Sequence, residues 1–245
     1  MVGVDEDHHQ ARPSNNDDAE LLARRAAIDA LGAAVHELVQ AVVATEVPIE
    51  ELDRVAELVR QATAPLTAQR RGRFEMARAD DIVNGVRLYN PVTGRGNPLA
   101  PPLQVEVVDG VVVGTCTLGL AFEGPPTYGH GGYSAMLLDQ ILGHAIATAH
   151  HPGMTVELSV RYRRPVPLAT PLRLTAEVTG SEGRRIFGRA TIATVEEPTT
   201  ILVEGHGTFV ALNPEQATAL FARVLGHERA QGTWRPQIST VVRKR

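Results

Sequence analysis

Two groups of residues, nine positions apart, carry the chemistry legible in this 245-residue chain. His130-Gly131-Gly132 opens an almost wholly apolar run, GGYSAMLLDQILGHAIA, and Asp139 sits inside it where a leucine would suit the pattern. Glycines at a helix start let another group approach bare backbone, and the free N–H groups there favour developing negative charge. That describes an oxyanion hole, the main electrostatic requirement of acyl transfer. The neighbours of Asp139 at three and four residues are Ala135, Met136, Leu142 and Gly143. A carboxylate among them must be hydrogen-bonded or paired, unless it lies at an exposed edge beside Gln140 or caps a neighbouring backbone. Nine residues of helix rise about 13 Å, too far for one terminus and one side chain to meet the same carbonyl carbon. If both act in one reaction, Asp139 of one subunit works with the His-Gly-Gly of another, and a two-fold dimer with two shared sites satisfies this simply.

The elements that must hold these groups are mostly strands. LQVEVVDGVVVGTCTLGL is two β-branched runs around Asp109-Gly110, a strong hairpin signal. After the apolar helix come MTVELSVRYRRPV, LRLTAEVTGSEGRRIFGRATIATVEE and TTILVEGHGTFVAL, which turns at 180–183 and 196–198 divide into about four further strands. One apolar helix among five or six strands, with no later helix to cover them, predicts an α+β domain over 99–212 whose antiparallel sheet wraps around one long central helix.

Upstream, residues 1–16 read as a polar, disordered tail with His8 and His9, and 17–64 as a helical hairpin. Its first helix places Ile28, Leu31, Val35, Leu38 and Val42 on one stripe, and its second places Ile49, Leu52, Val55 and Val59 on another. Both stripes are expected to bury against the main domain or a partner subunit. Residues 65–98, rich in Pro, Gly and Asn and carrying Arg70, Arg71 and Arg73, read as a linker or ordered loop. Residues 213–245 begin helically and end in a basic, mobile tail.

Composition excludes several functions. A net charge of −4 gives no general reason to bind nucleic acid or an anionic membrane, and 4% aromatics argues against base-stacking platforms. The single cysteine, Cys116, rules out an internal disulfide framework and a Cys-based metal cluster, and it reads as a small strand residue. No basic-then-apolar leader and no apolar run near ~20 residues is seen, so a soluble, cytoplasmic protein without stable membrane insertion is expected. Gly132-Tyr133-Ser134-Ala135-Met136 is half a nucleophile elbow, lacking its second glycine. His130, His144, His150 and His151 have no zinc-site spacing, and no metal is expected.

GHGGYSAMLLDQILG resembles the central-helix signature of hotdog-fold acyl-CoA thioesterases of the PaaI-type branch, and GMTVELSVRYRRPVPL resembles their next strand. The resemblance covers about residues 99–212. It implies that Asp139 acts as nucleophile or as general base toward water, and that the Gly131 backbone, with His130 and Gly132, polarises a thioester carbonyl. Thr155 matches the small hydroxyl residue that places the water or the carboxylate. Coenzyme A then enters as part of the substrate rather than as a cofactor. Its phosphates would suit Arg161, Arg163 and Arg164, of which strand alternation puts Arg161 and Arg163 on the face of Thr155. Met136, Leu137 and Leu142 would line an acyl pocket. One departure is Gly124, where some relatives have an Asn. A homodimer or higher oligomer that hydrolyses acyl-CoA is the expectation; the rivals are a hotdog module that binds acyl-CoA or a protein partner without turnover, and a hotdog hydratase.

Overall fold

A computed structural model describes residues 15–81, 85–149, 153–213, 215 and 241–243. The chain begins with two helices, α1 (Asn15–Ala44) and α2 (Ile49–Leu66). After the 67–102 segment, β1 (Gln104–Val108) and β2 (Val111–Thr117) form the expected hairpin. Asp109 and Gly110 both take left-handed backbone, φ 51° and 83°, as the two central residues of a type I′ turn must. A 3₁₀ turn (Leu120–Phe122) leads into α3 (Gly131–Thr148), and then β3 (Gly153–Tyr162), β4 (Pro171–Glu182), β5 (Arg185–Thr194) and β6 (Val203–Ala211) follow.

The strand order is β3-β6-β5-β4-β2-β1-β7, with every neighbouring pair antiparallel except β1 and β7. Within the expected basic tail, β7 (Val241–Arg243) adds in parallel to the open edge of β1. Glu215 is helical; the rest of the helix expected from residue 214, the tail histidines His8 and His9, and His150 and His151 lie outside the described residues. The connection through α3 carries the chain from β2 to the far edge, so the helix crosses the sheet and touches β2 through β6. This is the hotdog arrangement expected from the sequence.

Burial of one helix inside one sheet needs close approach, and small strand residues grant it. Leu142 sits over Gly188 and Gly207, where an added Cβ would lie 2.9 and 3.0 Å from its methyls. Leu137, Leu138, Ile141, Leu142 and Ile146 are all fully or almost fully buried against the sheet. Leu137 and Leu142, expected to line an acyl pocket, are therefore core residues with 0% exposure; of the three expected there, Met136 keeps some exposure. Leu142→Ala should lower unfolding stability by about 2–5 kcal/mol in urea titration, as deletion of a packed leucine does. Unchanged stability with altered acyl-chain preference would return Leu142 to the pocket.

The N-terminal helices depart from expectation. Of the predicted α1 stripe, Ile28 packs on the loop at Gly96 and Leu31 and Val42 remain exposed, while most of the face that meets the domain is Arg25, Asp29, Gly32, His36 and Gln40. The reason is the loop it covers, which offers carbonyls and an arginine rather than aliphatic surface: Arg25 donates to the Ala79 carbonyl, Asp29 pairs with Arg95, and a His36 nitrogen lies 2.9 Å from the Pro98 carbonyl oxygen. By length and composition alone α1 could cross a membrane. No residue of α2 is buried, so its predicted stripe is not covered by the described residues. The 65–98 segment is an ordered loop where it is described: the Asn90 side chain accepts from the Val92 and Thr93 N–H groups, Asp80 accepts from Leu88 N–H, and Val92 joins the core. Arg71 and Arg73 lie over the rings of Tyr89 and Phe74.

Candidate active site

His130 caps α3. Its Nδ1 accepts the Gly132 N–H at 3.0 Å, and its backbone carbonyl accepts the Tyr133 N–H. With those two amides satisfied, the Gly131 N–H has no acceptor among the described residues, and it points from the positive end of the helix. The approach to this turn is tightly specified. Gly124 N–H donates to Tyr128 O, Tyr128 N–H to Pro125 O, and His130 N–H to Phe122 O at 2.8 Å. Thr127 takes φ 72°, a left-handed conformation that a β-branched residue rarely adopts. The Glu123 carboxylate holds it there by accepting its N–H at 2.7 Å.

Gly124, the position where some relatives have an Asn, lies against His130. An added Cβ would be 2.7 Å from the His130 Cα. In this chain a side chain there would push the histidine from its place, so the glycine belongs to the local packing of the cap.

Asp139 is half-buried on α3, and Thr155 Oγ1 donates to its Oδ1 at 2.9 Å. Oδ2 has no protein partner among the described residues. The sequence-derived pairing of Asp139 with Thr155 is thus met in space. The arginines are not where alternation placed them. β3 carries a bulge between Thr155 and Glu157, which inserts Val156 and reverses the alternation. Thr155 consequently shares the helix-facing side with Leu158, Val160 and Tyr162, opposite Phe209, Gly207, Gly205 and Val203, while Arg161 lies on the outer face opposite Glu204. Arg163 is bound to Glu204 there, and Arg164 is exposed.

The same bulge turns Tyr162 toward the site, a residue that strict alternation misses. Its hydroxyl donates to the Gly131 carbonyl at 2.9 Å, and its ring would lie 3.2 Å from a Cβ at Gly131. Within one chain these two groups of residues stand apart. The helix start is braced by Tyr162, and Asp139 with Thr155 lies about two and a half turns farther along α3.

Other candidates have structural roles. Burial pushes the Cys116 thiol up to about 12, which removes it as a nucleophile. Burial pushes the His144 imidazole down to about 4, and it meets the Gln140 amide at 3.1 Å. Among the described residues no three His, Cys, Asp or Glu side chains gather around a common point.

On the outer face Arg163 and Arg189 hold the Glu204 carboxyl down to about 2, chiefly through the Arg163 hydrogen bonds. A carboxyl whose value falls on folding stabilises the fold above its ordinary value, here 4.5, and loses that contribution as pH drops toward 2. Melting temperature followed from pH 6 to pH 2 should fall through this window. Glu204→Gln should flatten that acid limb and start lower at neutral pH, because two arginines then face each other unneutralised.

Comparison with known proteins points one way. A family model described as Thioesterase superfamily matches residues 128–201, which include His130, Asp139 and Thr155. A crystal structure of a thioesterase superfamily protein is 38% identical, covers 75% of this chain and 94% of its own, and superposes with a TM-score of 0.66. Acyl-coenzyme A thioesterase THEM4 of Mus musculus is 32% identical over 98 residues, 40% of this chain and 42% of that protein. The Bos taurus protein of the same name is 32% identical over 100 residues, covering 41% and 40%. The chain thus aligns with about two fifths of the length of these curated relatives.

Proposed function

The chain belongs to the thioesterase superfamily, and from that premise we propose that it hydrolyses the thioester of an acyl-coenzyme A to the free acid and coenzyme A. The observation that carries this is the Asp139–Thr155 pair: a half-buried carboxylate with one oxygen held by a hydroxyl and the other open to a reacting atom. The names of the THEM4 relatives support the acyl-CoA substrate.

Each residue has a chemical task. Thr155 fixes the rotation of the Asp139 carboxylate through Oδ1, so that Oδ2 either removes a proton from water as it adds to the carbonyl or attacks the carbonyl itself. The Gly131 N–H, at the positive helix end, receives the charge that grows on the carbonyl oxygen. Collapse of the tetrahedral species breaks the C–S bond, and the thiolate of coenzyme A leaves and takes up a proton. Where Asp139 itself has attacked, this leaves a mixed anhydride on Asp139, which water then hydrolyses to the free acid and the restored carboxylate. His130 keeps Gly132 N–H engaged and the turn in shape.

The half-sites are completed between two subunits. β3 is an edge strand with Met154, Val156 and Tyr162 exposed, a surface fit for pairing with the same strand of a second copy. Arg161 and Arg164, exposed near that edge, are the side chains we assign to the coenzyme A phosphates.

The test is thiol release from a panel of acyl-CoA chains. Thr155→Ala should lower kcat by about tenfold and Thr155→Ser should restore most of it, in line with a group that orients a general base. Tight acyl-CoA binding with no thiol release from any chain would overturn hydrolysis in favour of a binding module.

A further inference from the structure

The polar stripe of α1 ends against the segment that precedes His130. Gln40 Oε1 accepts the Ala121 N–H at 3.3 Å, and Gln40 Nε2 lies 3.4 Å from His36 Nε2, whose Nδ1 lies 2.9 Å from the Pro98 carbonyl oxygen. The two ends dictate the direction of this relay. A carbonyl only accepts, so His36 carries its proton on Nδ1; a peptide N–H only donates, so Gln40 turns its oxygen to Ala121 and its amide to His36. With its proton on Nδ1, His36 presents Nε2 as the acceptor for the Gln40 amide.

Gly119 makes the contact possible, since a Cβ there would lie 2.4 Å from Gln40 Oε1. The His36 ring stands 6.2 Å from that of Phe122, and Phe122 meets Tyr133 of the first turn of α3 edge-on at 4.9 Å. The Phe122 carbonyl accepts the His130 N–H. The 3₁₀ turn is therefore held by α1 on one side and passes that constraint to the helix start on the other.

We propose that α1 is a working part of the candidate active site, with Gln40 and His36 as positioning residues that set the Gly131 N–H through the 3₁₀ turn. The proposal rests on the hydrolase reading. A charge-stabilising donor acts only when it is held in place, and a displacement near 1 Å can cost about a hundredfold in rate. Loss of Gln40 leaves the Ala121 N–H without its acceptor and frees the turn to shift.

In the full chain, Gln40→Ala should lower kcat by about tenfold with KM within about twofold, as for an interaction felt in the transition state. Gln40→Glu keeps an acceptor for Ala121 but gives up the amide donor to His36, so it should recover part of the rate. Arg25→Ala, which breaks the Ala79 contact at a distance from the turn, should lower melting temperature and leave kcat unchanged. Amide hydrogen exchange at Ala121 and His130 should quicken in Gln40→Ala. This last readout does not depend on turnover, so it decides the proposal even for a chain that hydrolyses no acyl-CoA tested. Unchanged exchange at both amides would overturn it, as would a kcat loss that Gln40→Glu fails to restore and that Arg25→Ala reproduces.

Discussion

Asp139→Asn should lower kcat for thiol release by at least about a hundredfold, while the protein should keep its fold and its melting temperature within a few degrees. The size follows from the role: a group that removes a proton or forms the bond to carbon contributes about 10²–10⁴-fold. The small stability change follows from the surroundings. Asp139 is half-buried and has no ion-pair partner among the described residues, and asparagine keeps an oxygen to accept from Thr155. Measured by thiol release and by thermal melting on one preparation, the variant separates chemistry from folding. Full turnover by a folded Asp139→Asn protein would remove Asp139 from the mechanism.

The helix that carries this acid was legible because its signal is local. An almost wholly apolar run identifies α3, and His130-Gly131-Gly132 marks its start within one residue. Asp139 also stood out locally, as the one acid of an apolar helix. What escaped the sequence was decided by contacts distant along the chain. The bulge at Val156 leaves no mark in a run of alternating residues, yet it moves Arg161 and Arg163 to the outer face and turns Tyr162 inward. Leu137 and Leu142 have the chemistry of a pocket lining, and only the glycines of β5 and β6 beneath Leu142 make it core. The contact face of α1 differs from its apolar stripe for a related reason. Periodicity identifies which residues share a face but not whether the opposing surface is aliphatic or, as here, a row of carbonyls.

The separation of the half-sites leads to a second large effect, expected when two inactive variants are mixed. Gly131→Pro removes the free N–H from the first residue of α3, a position where proline suits the helix; His130 already has the extended backbone that precedes proline, φ −64° and ψ 133°, and the Tyr162 ring, 3.2 Å from the new Cβ, must give by a few tenths of an ångström. Loss of one such donor costs about 10²–10³-fold. Asp139→Asn is inactive for an independent reason. If each site takes its donor from one subunit and its acid from the other, random reassociation after mild unfolding makes about half the dimers mixed. Each mixed dimer then holds one intact site and one doubly altered site, so activity returns to roughly a quarter of the unaltered level. If each chain completes its own site, every site in the mixture carries one lesion and activity stays near the background of the two variants. A large rise against none is read in a single assay. It also distinguishes the dimer from a simple edge contact, because pairing of β3 strands without exchange of catalytic groups would give association and no recovery.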